Sequence, residues 1–290
     1  MLTFLLFCSK IKPMLPILID FDGHPLISWT VCALIGGWAG FFSLRSDLRQ
    51  RGITEIQIIA FFLGGVITWF IGAHLGQVIS VGGTFTPFGI RSLLTGFVLY
   101  GGVIALIPYG FLAWHITNWK DKLWVQELWD CGTLAILWAL VFGRFGCTLY
   151  GCCYGTPSHG WPGYTLNEIR WDYTQRTFPH SLSGVRLHPT PLYEAFGIGL
   201  TLVLLYWMRR SESKAPGRYP PGAVAWIGWI SYGIIRFLTE FIRMDPRGEY
   251  HFGLSFSQWI ALVTILIGIY IVNHAKQRNL IPIYLSDQRR

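Results

Sequence analysis

IQIIAFFLGGVITWFIGAHLGQVI, residues 56–79, carries no charged side chain from Ile56 to Ile79. A helix needs ~20 mostly apolar residues to cross ~30 Å of hydrocarbon, so this stretch is long enough to span a bilayer. Its apolar residues run on without the alternation of a barrel strand, which favours a helix. Working outward, windows of the same kind lie near 26–44, 93–114, 128–145, 192–208, 222–242 and 252–272. The pattern predicts an all-α polytopic membrane protein with about seven transmembrane helices.

Composition agrees. Hydrophobic residues make up 52% of the 290 and charged residues only 13%, against about 25% charged in soluble domains. Neither a water-soluble globule nor a disordered chain has this balance. The net charge of +8 reads as basic cytoplasmic loops, and no nucleic-acid partner is expected. Arg45, Arg49, Arg51, Lys120, Lys122, Arg209, Arg210, Lys214, Arg218, Lys276, Arg278, Arg289 and Arg290 fall on one side of the seven windows. This asymmetry places the N-terminus outside and the C-terminus in the cytoplasm. Met1–Phe7 is too short to span and reads as an uncleaved tail at the interface. The longest connection, about 146–190, then faces outward as a small head rich in Gly, Pro, Trp and Tyr. No repeat divides the chain, and residues 1–290 read as one integral membrane domain.

Charged groups at membrane depth cost about 2.5–3.5 kcal/mol and mark function by default. Arg236 and Glu240 stand four apart on one helix face, which Arg243 continues toward the outer end. They read either as a structural ion pair or as an anion site, with an arginine for a phosphate and a carboxylate to hold it. Gly143-Arg144-Phe145-Gly146-Cys147 leads into Gly151, Cys152, Cys153 and Gly155, a glycine-rich stretch near the outer interface. Arg144 and Arg236 lie at the same outward end of separate spans, where a shared anion would be a lipid phosphate. Tyr193 and Glu194 open the fifth span, where an aromatic belt residue and a dipole-favoured carboxylate are the plain readings. Gly36-x-x-x-Gly40 and Gly72-x-x-x-Gly76 suit close helix packing.

Cys147-x4-Cys152-Cys153 is not a usual zinc spacing, and no second cysteine pair completes a site even with His159 as a further ligand. No metal is expected. Small buried thiols beside glycines are the plain reading. A disulfide, or a membrane thiol oxidoreductase, is the alternative.

Three of these elements, in this order, resemble the prolipoprotein diacylglyceryl transferases of bacterial membranes. Residues 143–155 resemble that family's Gly-Arg-Ile-Gly-Asn-Phe signature and the glycines after it. His188-Pro-x-x-Leu-Tyr193-Glu194-Ala195 is similar to its His-Pro-Ser-Gln-Leu-Tyr-Glu-Ala element. Tyr232-Gly233-x-x-Arg236-Phe237-x-x-Glu240-Phe241-x-Arg243 is similar to its third, and Ser257-Gln258 to the Gly-Gln that follows. The resemblance implies seven spans, a bacterial plasma-membrane location, and transfer of diacylglycerol from phosphatidylglycerol to the lipobox cysteine of a prolipoprotein signal peptide. It implies no cofactor. It assigns Arg236, Glu240 and, in place of the family's histidine, Tyr100 to catalysis. It assigns Arg144, Arg236, Cys147, Gly155, Tyr193, Glu194 and His74 to the lipid headgroup. The departures are Leu99-Tyr100-Gly101-Gly102 for Phe-His-Gly-Gly, Cys147 for the signature asparagine, Gly72-Ala73-His74-Leu75-Gly76-Gln77 for Gly-Gly-Arg-x-Gly-Tyr, and Thr30 near a first-span tyrosine. A divergent homologue that binds anionic lipid without catalysis, or uses another acceptor, is the alternative.

Overall fold

The computed structural model describes residues 17–21, 24–81, 99–159, 163–165, 182, 184–214, 218–245 and 250–277. An antiparallel hairpin, β1 (Ile17–Phe21) with β2 (His24–Ile27), leads into α1 (Ser28–Gln50). Then come α2 (Glu55–Val81), α3 (Leu99–Ile116), a 3-10 turn (Trp119–Asp121) and α4 (Val125–Tyr150). The two-residue strands β3 (Tyr164–Thr165) and β4 (Arg186–Leu187) pair between α4 and α5 (Thr190–Lys214). After α6 (Ala223–Glu240), the hairpin β5 (Tyr250–His251) with β6 (Leu254–Ser255) precedes α7 (Phe256–Gln277).

Each apolar window therefore contains a helix, although the windows' ends differ from the helices' ends. Among the described residues, five helices are long and apolar enough to cross a membrane: 55–79, 99–116, 125–150, 190–214 and 256–274. α1 is diluted by glycine, serine and tryptophan, and α6 by Arg236 and Glu240 within 18 residues. The window that opened at 252 begins its helix only at Phe256, because 250–255 turns back on itself. Phe252 and Gly253 both have positive φ, 53° and 77°, as a two-residue hairpin of matching twist requires. Ser255 and Gln258 then form a reciprocal cap on α7, each side chain bonding the other's backbone N–H at 3.3 and 2.9 Å. α1 runs six residues past the window's end at Leu44. Its extension is polar and tied by Arg45 and Arg49 to Glu55 at 2.7 and 3.1 Å. Gly52 (φ +74°) ends it as a Schellman motif, with Ile53 N–H to Leu48 O and Gly52 N–H to Arg49 O.

The chain groups into two compact units, Phe41–Gly132 and the remainder. In the first, α2 and α3 pack through glycine. A methyl group on Gly72 would stand 2.6 Å from the Gly101 carbonyl oxygen, and one on Gly101 would stand 3.0 Å from Gly76 Cα. The Tyr109 hydroxyl donates to Phe61 O at 2.7 Å, and the two rings stack. In the second unit, a methyl on Gly40 of α1 would meet Ala135 O of α4 at 2.6 Å, and one on Gly36 would meet Ala139 at 3.0 Å. Both small-x-x-x-small pairs thus act as packing seams. α6 inserts among α4, α5 and α7: Trp229 donates to Thr133 Oγ1 at 3.0 Å, Gly197 receives Ile235, and Gly233 receives Ile265. Large apolar side chains face outward, among them Ile67, Val203 and Leu266. Lipid, not water, is the solvent that covers such faces.

Candidate functional site

The residues singled out on α4, α5 and α6 are gathered by a backbone seam. Residues 154–158 run between 186–188 and 242–244. Gly155 N–H bonds His188 O (3.0 Å), and Thr156 N–H bonds Ile242 O (2.9 Å). His188 N–H bonds Thr156 O (3.0 Å), and Met244 N–H bonds Tyr154 O (3.2 Å). The C-terminal ends of α4 and α6 and the N-terminal end of α5 are thereby held together. Gly155 lies where no side chain fits, since a methyl would stand 2.8 Å from both Ile242 O and His188 Cβ. Beside it, Tyr154, Leu182 and Leu187 form a small apolar core with Tyr164 and Val185.

Under this seam three arginines meet one carboxylate. Glu194, one turn into α5, is fully buried. Its Oε1 accepts from Arg236 Nη1 at 2.8 Å and from Arg243 Nη1 at 3.0 Å. Its Oε2 lies 2.8 Å from Arg144 Nε, an ionic contact in which the N–H is not aligned for a hydrogen bond. Arg236 Nη2 reaches Glu240 Oε2 at 2.8 Å, and Ser257 Oγ lies 3.4 Å from the same nitrogen. Arg243 grips Asp245 with two bonds, Nε to Oδ1 at 2.9 Å and Nη2 to Oδ2 at 3.1 Å. The three guanidinium groups and three carboxylates balance in formal charge. That balance allows so many ions to be buried together, because an unpaired one would cost several kcal/mol. Arg144 is the most accessible of the arginines, its side chain 12% exposed against 3% and 2% for Arg236 and Arg243. Burial, opposed by Arg243, pushes the Asp245 carboxyl up to about 6.

The end of α4 brings the three thiols next to this centre. Gly151 (φ +82°) caps the helix, and both its N–H and that of Cys152 bond Cys147 O, at 2.9 and 3.1 Å. The left-handed turn sends the chain back over the last helical turn. Cys153 also has positive φ (64°), and its carbonyl accepts from the Thr190 hydroxyl. The sulfurs of Cys147, Cys152 and Cys153 all lie within 4.8 Å of one another. Hydrogen bonds from the other two thiols, and then the charges of Arg243 and Arg144, hold the Cys153 thiol well below its ordinary range. His159 is not part of this cluster.

The centre is thus a buried, charge-balanced cluster of arginines and carboxylates at the ends of membrane-capable helices. A model of the prolipoprotein diacylglyceryl transferase family matches residues 16–274. The chain belongs to that family. It is 32% identical over 263 residues to a phosphatidylglycerol–prolipoprotein diacylglyceryl transferase of Clostridium tetani, covering 90% of this chain and 97% of the relative. The second such transferase of Clostridium perfringens is 33% identical over 233 residues, with 77% and 81% covered. That of Cupriavidus pinatubonensis is 26% identical over 248 residues, with 83% and 82% covered.

Of the residues singled out from sequence, Arg144, Cys147, Gly155, Tyr193, Glu194, Arg236 and Glu240 all lie in one compact unit. Tyr193 sits a position before Glu194, with its hydroxyl 3.0 Å from His188 Nδ1. Tyr100 on α3 and His74 on α2 belong to the other unit, and both are buried. Thr30 is exposed on α1. Sequence reasoning gave Arg243 only a place on the α6 face and passed over Asp245. The close pair Arg243-x-Asp245 beside a span end was the available signal. Glu194, a dipole-favoured carboxylate on the plain reading and a headgroup residue by resemblance, lies within 3.0 Å of all three arginines.

Proposed function

We propose that the chain transfers the diacylglyceryl group of phosphatidylglycerol to the cysteine thiol of a prolipoprotein signal peptide, in the plasma membrane of a bacterium. The observation that carries the reading is the convergence of Arg144, Arg236 and Arg243 on buried Glu194, all within 3.0 Å. Family membership and the activity named for its relatives support it. On this reading the chain is one membrane domain of seven spans. α1 and α6 cross with the five more apolar helices, the N-terminus lies outside, the C-terminus is cytoplasmic, and the segment near 146–190 is an outward head.

In the reaction the acceptor thiol loses its proton and its sulfur attacks the terminal glyceryl carbon. A carbon–sulfur bond forms, the carbon–oxygen bond to phosphate breaks, and glycerol phosphate leaves with the electron pair. Charge builds on the departing phosphate, so cations fixed beforehand stabilise the transition state more than the substrate. Arg144, the more accessible arginine, and Arg236 take the phosphate. Glu240 and Glu194 position them, since a guanidinium whose place is already set loses little entropy when an anion arrives. Tyr193, Cys147 and Gly155, all in the unit that holds the arginines, border the headgroup. Tyr100 stands where the family usually has histidine. An ordinary phenol has a pKa near ~10 and is a weak base at neutral pH, so a tyrosine at that position suits hydrogen bonding better than proton abstraction. Both substrates are membrane-embedded and enter sideways between helices.

The substitution at Tyr100 favours a second reading, a homologue that binds phosphatidylglycerol without transfer. Mass spectrometry of a reporter lipoprotein, in cells whose only family member is this chain, separates the two. A thioether-linked diacylglycerol on the lipobox cysteine supports the transferase. An unmodified cysteine beside normal membrane insertion of the chain supports the binding protein.

A further inference from the structure

We propose that Cys147, Cys152 and Cys153 form a three-thiolate site for a soft divalent metal ion of the zinc group. Zn–S bonds of ~2.3 Å place three thiolates around one ion roughly 3.8–4.0 Å apart. The three sulfurs already lie within 4.8 Å of one another, so closing on an ion takes less than about 1 Å of movement at each. The linear spacing hides the site. The turn at Gly151 and the left-handed Cys153 bring the sulfurs together from positions that fit no common zinc pattern.

Two further observations point to a ligand. The Tyr164 hydroxyl is buried and has no hydrogen-bond partner among the described residues, and its ring packs on the core formed by Tyr154, the residue after Cys153. A buried hydroxyl without a partner is costly, and a metal-bound thiolate would accept a hydrogen bond from it. Arg144 and Arg243 interact electrostatically with Cys153. Three thiolates and a divalent ion carry one net negative charge, which these guanidinium groups face. Sulfur-only donors select zinc-group ions over magnesium and calcium. Bound there, the ion would tie the last turn of α4 to the segment leading into the seam, beside Arg144. Metal binding is read apart from transfer, although Cys147 belongs to both sites.

The test uses the full-length protein, purified in non-ionic micelles, reduced, stripped with a chelator and titrated with Cd2+. The expected result is an ultraviolet sulfur-to-cadmium charge-transfer band that saturates at one equivalent. Zn2+ should compete and excess Mg2+ should not. The band should vanish in the triple variant C147S/C152S/C153S and persist in C32S/C131S. No band, a band that survives in the triple variant, or one lost in C32S/C131S overturns the proposal. Should the triple variant fail to fold, Zn2+ protection of the wild-type thiols from maleimide, mapped by peptide mass spectrometry, decides instead. Protection confined to Cys147, Cys152 and Cys153 supports the site, and alkylation of all three in the presence of Zn2+ overturns it.

Discussion

Replacing Glu194 with glutamine changes the shape of the site very little and its charge by one unit. The amide oxygen can still accept from Arg236 and Arg243, which now share Oε1 at 2.8 and 3.0 Å. The amide nitrogen then takes the place of Oε2 and sets a donor against Arg144 Nε, 2.8 Å away. The balance of three cations and three carboxylates becomes one net positive charge in a buried position. At an effective dielectric of about 20, one unit pair at ~4 Å is worth about 4 kcal/mol, and breaking a buried pair typically costs about 3–5 kcal/mol. Glu194→Gln should therefore lower stability by about 3–5 kcal/mol in zwitterionic or non-ionic micelles. Glu55→Gln removes an equally short contact, 2.7 Å to Arg45, but both side chains there are about a third exposed. That variant should cost little, because solvent screens the pair. Reversible denaturant titration of both variants measures the difference. Added phosphatidylglycerol should restore part of what Glu194→Gln loses, because the lipid phosphate supplies the missing negative charge. Equal small losses in the two variants, or no rescue by the anionic lipid, would refute the claim that Glu194 balances buried guanidinium groups at a phosphate site.

Arg236→Lys should lower the transfer rate about 10²-fold with little change in lipid binding. A lysine cannot bridge Glu194 and Glu240 together, and loss of one transition-state donor costs of this order; steady-state kinetics with varied phosphatidylglycerol tests this. Gly155→Ala should destabilise the protein by about 1–3 kcal/mol through overpacking, since its new methyl meets Ile242 O and His188 Cβ at 2.8 Å; the shift in unfolding midpoint is the readout. The Asp245 carboxyl titrates near 6 in the folded protein, above its ordinary value of 3.8. The folded state thus binds more protons between those values, and this group's contribution to stability falls as pH rises from about 4 to 6, by at most ~3 kcal/mol. Unfolding free energies across that range should lose this slope in Asp245→Asn. Tyr100→Phe should cut transfer at least tenfold at unchanged expression, since it removes the hydroxyl that stands in for the usual histidine.

The helices were legible because long uncharged runs at membrane length admit few alternatives. The glycine pairs were legible because Gly40 and Gly72 face Ala135 and Gly101 closely enough to exclude any side chain. The link between Arg236 and Glu240 follows from helical spacing alone. What could not be read was long-range or conformational. Glu194 meets Arg144 and Arg243 from fifty and forty-nine positions away, and no local periodicity reports such a meeting. The thiol cluster depends on left-handed backbone at Cys153, which few non-glycine residues adopt. The late start of α7 depends on a hairpin whose first turn residue is phenylalanine rather than the usual Asn or Gly.

The most direct measurement uses purified protein in bilayers containing phosphatidylglycerol, with a lipobox peptide bearing one cysteine, read by intact-mass spectrometry. The expected product is a peptide heavier by one diacylglyceryl group in thioether linkage, together with released glycerol phosphate. No such product is expected when Arg144→Ala or Arg236→Ala replaces the wild type, or when phosphatidylethanolamine is the only phospholipid. Full product from both alanine variants, or none from the wild type under conditions in which the Clostridium tetani relative works, would contradict the proposed transfer.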